Sequence, residues 1–226
     1  MTLLLVADPI AVEHDTGLHP ERIERWTSCR EALRSLVKEG SGEIVWVEEA
    51  TPASDEAVLR CHVPAYLARL RSTHGATGFL DPDTAFSPRS LEAAYRGAGA
   101  AMLAAERVFR GEADAAFALV RPPGHHATPT AAMGFCLLNN AAIATRHVQS
   151  LGCERVLIVD WDVHHGNGTQ DVFWEDESVF YYSLHLSPHY PGTGGAEERG
   201  SGRGVGTTLN RPLPKGFPAK DYVELF

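Results

Sequence analysis

The strongest constraint on this chain is the alternation of short apolar runs with helical segments. Leu3–Ala7, Ile44–Val47, Ala116–Val120, Val156–Asp160 and Val179–Leu184 read as strands. A strand with one wet face alternates apolar and polar residues, whereas a run apolar throughout has both faces covered. Between these runs lie helix patterns. Pro20–Val37 places Ile23, Trp26, Leu33 and Leu36 roughly on one face, with Gly40 and Gly42 as its stop. Ser54 caps a short helix over Glu56–Arg60, and Pro64–Ser72 resembles another. An alanine-rich helix opens at Ser87-Pro88 and reaches about Arg110, and Asn139–Leu151 follows the third run. Thr169–Trp174 reads as a helical turn and Phe217–Phe226 as a helix beginning. Gly75–Arg89 and Ser187–Gly206 read as loops. Strands alternating with helices predict an α/β fold, a mainly parallel sheet with helices on both faces, in a single domain over residues 1–226.

In such sheets ligands bind beyond the carboxyl ends of the strands, and that is where this chain concentrates its ionisable residues. The fourth run passes directly into 160-DWDVHHGNG-168. If the strand continued, its period of two would put Asp160, Asp162 and His164 on one face. A carboxylate and an imidazole at neighbouring positions suit a borderline cation such as zinc. The plainer reading makes Asp162 a turn cap and the histidines exposed loop residues. The third run leads into 121-RPPGHHA-127, where His125 and His126 are adjacent. Opposite a metal site, such a pair offers a base of suitable intrinsic pKa, with Asp160 and Asn167 as natural partners for the two imidazoles. Gly134, Phe135, Ser183, His185 and Tyr190 are further candidates in glycine- and proline-rich segments. There is no GxxxxGK phosphate loop and no GxSxG nucleophile elbow.

Charge and composition narrow the partners. The net charge is −9, from 20 basic and 29 acidic residues, which disfavours a nucleic-acid backbone. No apolar run approaches the ~18 residues of a membrane span, and the opening MTLLLVADPI lacks the basic start of a signal peptide. Cys29, Cys61, Cys136 and Cys153 form no CxxC pair and read as reduced thiols, so the expected location is cytoplasmic.

The stretches 19-HPERIER-25, 121-RPPGHHA-127, 134-GFCLLNN-140, 158-IVDWDVHHGNGTQ-170 and 191-PGTG-194 together resemble the zinc-dependent histone deacetylase superfamily, including its bacterial acetoin-utilisation proteins and acetylpolyamine amidohydrolases. The resemblance implies the arginase/deacetylase fold, a three-layer α/β/α sandwich with a mostly parallel sheet. It implies that Asp162 and His164 bind Zn2+, with His126 as general base and then acid and His125 assisting electrostatically. Asp160 resembles the partner of His125, and Asn167 that of His126. Gly134 resembles the residue whose carbonyl meets the substrate amide. Phe135 and Tyr190 resemble the walls of the acyl-lysine channel, and Arg25 an inner-cavity arginine. Asp160, Asp162, His164, Ser183 and Leu184 match a structural K+ site. The implied reaction is zinc-assisted hydrolysis of an acetylated lysine peptide, polyamine or small amine, releasing acetate.

Two family features have no counterpart here: a third zinc ligand, an aspartate after the PGTG loop, and a late oxyanion tyrosine. The expectation is therefore a catalytic domain incomplete at its C-terminus, its last strands missing. One alternative is a non-catalytic relative that binds acyl-lysine or a partner. A binuclear manganese ureohydrolase is disfavoured, because Gly166 follows His164-His165 where a second metal would need a carboxylate. A homo-oligomer is compatible with the sequence.

Overall fold

The computed structural model describes residues 1–39 and 43–226. The expected helix stop at Gly40 and Gly42, and the Leu36 side chain, lie outside what is described. The chain forms two compact units, Met1–Cys153 and Glu154–Phe226.

In the first unit, β1 (Thr2–Val6), α1 (Ile23–Glu39), β2 (Glu43–Val47), α2 (Asp55–Leu59), α3 (Pro64–Arg71), β3 (Gly78–Phe79), β4 (Ala85–Phe86), α4 (Ser90–Phe109), β5 (Ala115–Ala118) and α5 (Asn140–Ser150) follow in order. The sheet order is β2-β1-β5, both ladders parallel, with Thr2 opposite Glu43 and Leu3 opposite Ala115. Leu4 and Val6 point into a core shared with Ala50, Ala100, Ala104 and Ala113. Small side chains along α4 (Ala93, Ala94, Ala98, Ala100) are buried, so the helix lies close to its neighbours. Trp26 is buried with Ala7 and Ala11, and its indole N–H donates to the Leu119 carbonyl at 2.9 Å.

Ser54 accepts from the Ala57 N–H as the expected cap of α2, and Asn139 caps α5 in the same way. Helix α1 begins at Ile23, not Pro20. The residues before it are committed elsewhere: the Glu21 N–H donates to His19 Nδ1 at 3.1 Å, Thr16 donates to the Glu21 carbonyl, and the Glu21 carboxylate is buried against Arg121. The segment expected as loop from Gly75 to Arg89 contains a small antiparallel hairpin, β3 with β4.

In the second unit, β6 (Val156–Asp160), α6 (Asn167–Phe173), β7 (Val179–Leu186), β8 (Thr208–Leu213) and α7 (Ala219–Val223) follow in order. The sheet order is β6-β7-β8, again parallel, with Asp160 opposite Ser183 and Ser183 opposite Asn210. Strand β8 was not expected, because Asn210 and Pro212 interrupt its apolar character. It pairs nonetheless, and Asn210 is fully buried, its amide donating to Gln170 on α6 at 2.7 Å.

Both sheets carry exposed apolar side chains, Val45 and Phe117 in the first and Leu157 and Phe180 in the second. The apolar runs had predicted covered faces throughout. The four cysteines are thiols, joined in no disulfide. Among the described residues no helix is long and apolar enough to cross a membrane.

Candidate active site

The first unit builds its chemistry after β5. Arg121 and Glu21 are each buried, 4% and 3% exposed, and form a bidentate pair at 2.5 and 2.7 Å. Arg121 also donates to the carbonyls of Ala11 and His14, at 2.7 and 2.9 Å. His14 stands 3.4 Å from Glu21 on one side and 2.6 Å from the Ser90 hydroxyl on the other. Every guanidinium nitrogen of Arg121 thus has a buried acceptor, which fixes the start of the loop carrying His125 and His126. The Arg121–Pro122 bond is cis.

His126 is buried, and its ring centroid lies 4.0 Å from that of His125. Gly134 closes over it. A Cβ at Gly134 would fall 2.3 Å from His126 Cδ2, and the residue has φ +56°. Only glycine meets both demands without strain. Phe135, next along, is the only described non-glycine residue with positive φ, at 71°. Its N–H donates to Thr84 Oγ1 at 3.1 Å, and its ring meets His19 edge-on at 4.6 Å. Backbone strain of this kind persists where its surroundings over-determine it. Replacing Gly134 by alanine is expected to displace His126, lowering any turnover that depends on it by roughly 100-fold and stability by about 1–3 kcal/mol. Steady-state kinetics and a thermal melt of the variant check both.

His62 pins the far side of the same segment. Its Nδ1–H donates to the Thr128 carbonyl at 2.9 Å, and its Nε2 accepts the Asn139 N–H at 3.0 Å. Burial lowers its pKa from the usual 6.5 to about 4. The unfolded chain therefore takes up the extra proton first. The contribution is full above about pH 6.5 and is lost as pH falls towards 4, on the order of 3 kcal/mol in all. The pH slope of the denaturant midpoint in this window should shrink in His62→Gln. It should not vanish, because burial also lowers His165 to about 4.

Arg25 sits exposed on the first turn of α1.

In the second unit β6 ends at Asp160, so the strand does not continue through His164. Side-chain turns bring the ligand candidates together instead. Asp160 Oδ1 accepts the Asp162 N–H at 3.2 Å, and Asp162 Oδ1 accepts the His164 N–H at 2.8 Å. His164 Nδ1 then lies 3.1 Å from Asp162 Oδ1. One carboxylate and one imidazole, half and one-third exposed, make a donor pair suited to zinc. Among the described residues no group of three potential ligands gathers. These two therefore fit as part of a site that ordinarily has three protein ligands. Asp160 Oδ2 is 3.0 Å from the buried Tyr181 hydroxyl. Asn167 is buried at the start of α6. Ser183 and Leu184 are buried on β7, Ser183 in register with Asp160. Tyr190 and His189 both lie against the His164 ring, at 5.9 and 5.0 Å.

Sequence reasoning gave no role to His165 or Glu198. His165 is buried, with Nδ1 2.8 Å from the Thr193 hydroxyl and Nε2 3.0 Å from Gln170 Oε1. His185, also buried, has Nδ1 2.9 Å from the Ser183 hydroxyl and Nε2 3.1 Å from the Gly194 carbonyl. Gly194 (φ +88°) has no room for a side chain, since a Cβ would lie 2.5 Å from His185 Nε2. Burial pushes the Glu198 carboxyl up, but hydrogen bonds from Gln170, Gly195 and Gly194 outweigh it and lower its pKa overall. The doubled His164-His165 and the glycines at 194–195 were the available signals.

The histone deacetylase domain model matches residues 19–226. The chain belongs to the histone deacetylase family. It is 42% identical over 207 residues to a probable deacetylase of Archaeoglobus fulgidus, covering 91% of this chain and 57% of that protein. It is 46% identical over 181 residues to a histone deacetylase-like amidohydrolase of Pseudomonas aeruginosa, covering 79% of this chain and 48% of that one. The crystal structure of the HDA15 HD domain superposes with a TM-score of 0.91 at 36% identity, over 100% of this chain and 66% of that chain. The α/β fold of the deacetylases is thereby established for this chain, which spans about half the length of these curated relatives.

Proposed function

We propose that this chain carries catalytic machinery of an amidohydrolase that removes the acetyl group from an acetylated lysine or acetylated polyamine. The observation that carries the reading is the buried His126, locked by the Gly134 backbone in a family whose relatives include an amidohydrolase. Asp162 and His164 would hold zinc. Bound there, zinc would supply Lewis acidity toward the amide carbonyl and toward water.

The remaining roles belong to the chain. His126 takes a proton from the attacking water and returns it to the leaving amine. His125 supports the charge that develops. The Gly134 carbonyl orients the substrate amide, and Phe135 and Tyr190 flank the alkyl chain. The roles of Asp160, Asn167 and Arg25 rest on the resemblance alone, and Arg25 is exposed on α1. A potassium ion would sit at Asp160, Asp162, His164, Ser183 and Leu184.

The test is incubation of the zinc-loaded protein with an Nε-acetyl-lysine peptide and, separately, an N-acetylpolyamine. The reading predicts acetate and free amine in equal amounts from at least one of them. Binding of both without release of acetate would favour the non-catalytic alternative.

A further inference from the structure

The segment bearing His189 and Tyr190 is held from behind by a set of hydrogen bonds whose donors and acceptors can be assigned individually. Glu198 Oε1 accepts the N–H groups of both Gly194 and Gly195, each at 3.0 Å. Its Oε2 accepts from Gln170 Nε2 at 2.6 Å. Gln170 cannot turn its amide round. Its Oε1 already accepts from Asn210 Nδ2 at 2.7 Å and faces His165 Nε2 at 3.0 Å. Because Glu198 only accepts, Gln170 turns its oxygen to His165, so Nε2 is the ring nitrogen that carries the proton and Nδ1 is left to accept from the Thr193 hydroxyl, 2.8 Å away. A flipped Gln170 would set its NH2 against two donors and its oxygen against a carboxylate. Position 198 must therefore present an acceptor to Gln170 and another to the two glycines, and a carboxylate does both.

We infer that Glu198 is a positioning residue whose hydrogen-bond polarity, set by Gln170, fixes the 189–195 loop against His164. The consequence for substrate rests on the deacylase reading, because Tyr190 is there a channel wall. The consequence for the loop does not.

The polarity makes a swap decisive. In Glu198→Gln two NH2 groups face each other, and in Gln170→Glu two carboxylates do. In the double variant the carboxylate now on α6 keeps acceptors toward Asn210 and His165. It also gains a donor from the amide now at position 198, whose oxygen still faces the two glycines. The experiment measures hydrogen exchange at the Gly194 and Gly195 amides, and kcat and KM on the acetyl-lysine peptide, in the parent, both single variants and the double.

Each single variant is expected to speed exchange at these amides about tenfold or more. Each should also raise KM about tenfold, equivalent to about 1.4 kcal/mol, with a smaller change in kcat. The double variant should return both to near the parent values. Additive damage in the double variant would overturn the inference. Should a single variant not fold, the double decides: a folded chain with parent-like exchange supports the polarity, and an unfolded or unprotected one refutes it. Restored exchange with no acetate release from any form leaves the loop restraint standing and removes the deacylase reading instead.

Discussion

Replacing His126 with alanine is expected to lower kcat for acetyl-lysine hydrolysis by roughly 100- to 10,000-fold, the range of a positioned general acid–base group. KM should change little, because a proton-transfer group acts mainly in the transition state. The side chain is buried, with Gly134 packed on its face and His125 beside it, so the truncation leaves a void and a modest loss of stability. The Gly134→Ala variant separates position from identity: it retains the imidazole but moves it. A kcat for His126→Ala within a few-fold of the parent would remove His126 from the proton-transfer role.

Removing either partner of the Arg121–Glu21 pair is expected to cost about 3–5 kcal/mol, the usual effect of leaving one charge buried and uncompensated. Both side chains are 4% exposed, and Arg121 spans from Glu21 to the carbonyls of Ala11 and His14, so water cannot readily replace the lost partner. Glu21→Gln and Arg121→Met should each lower the denaturant midpoint strongly. The double variant should lose less than the sum of the two, because neither charge then remains alone. Acid adds an independent check. Burial pushes the Glu21 carboxyl up, but the hydrogen bonds from His14 and Arg121 and the Arg121 charge outweigh it and hold the pKa at about 2. A depressed carboxylate stabilises the fold above its ordinary pKa of 4.5. That contribution is lost as pH falls from there towards 2. The parent should show this loss, and Glu21→Gln should not.

The strands were legible as apolar runs, although Val45, Phe117, Leu157 and Phe180 stay exposed and the expected cover on both faces is incomplete. The caps Ser54 and Asn139 were legible because a helix start needs a side-chain acceptor. Strand β8 was not, since the amide N–H of its buried polar residue Asn210 finds its acceptor on Gln170, 40 positions away in the chain. The start of α1 shifted for a similar reason: Glu21 serves an ion pair with Arg121, 100 positions distant. Asp162 and His164 were found as a pair but by the wrong geometry. The pleat of a strand was expected, and two successive aspartate turns produce the juxtaposition. His165 and Glu198 escaped notice because the doubled histidine and the glycines at 194–195 name no partner in the sequence, and the partners converge only in the folded unit.

The most direct test of the central claim is acetate release from an Nε-acetyl-lysine peptide or N-acetylpolyamine by the zinc-loaded protein, compared with the same protein after chelation and after zinc is restored. The account predicts release that stops on chelation, resumes with zinc, and is lost in His126→Ala under all three conditions. Acetate release that survives both chelation and the His126 substitution, or a zinc-loaded protein that binds these substrates and never cleaves them, would contradict it.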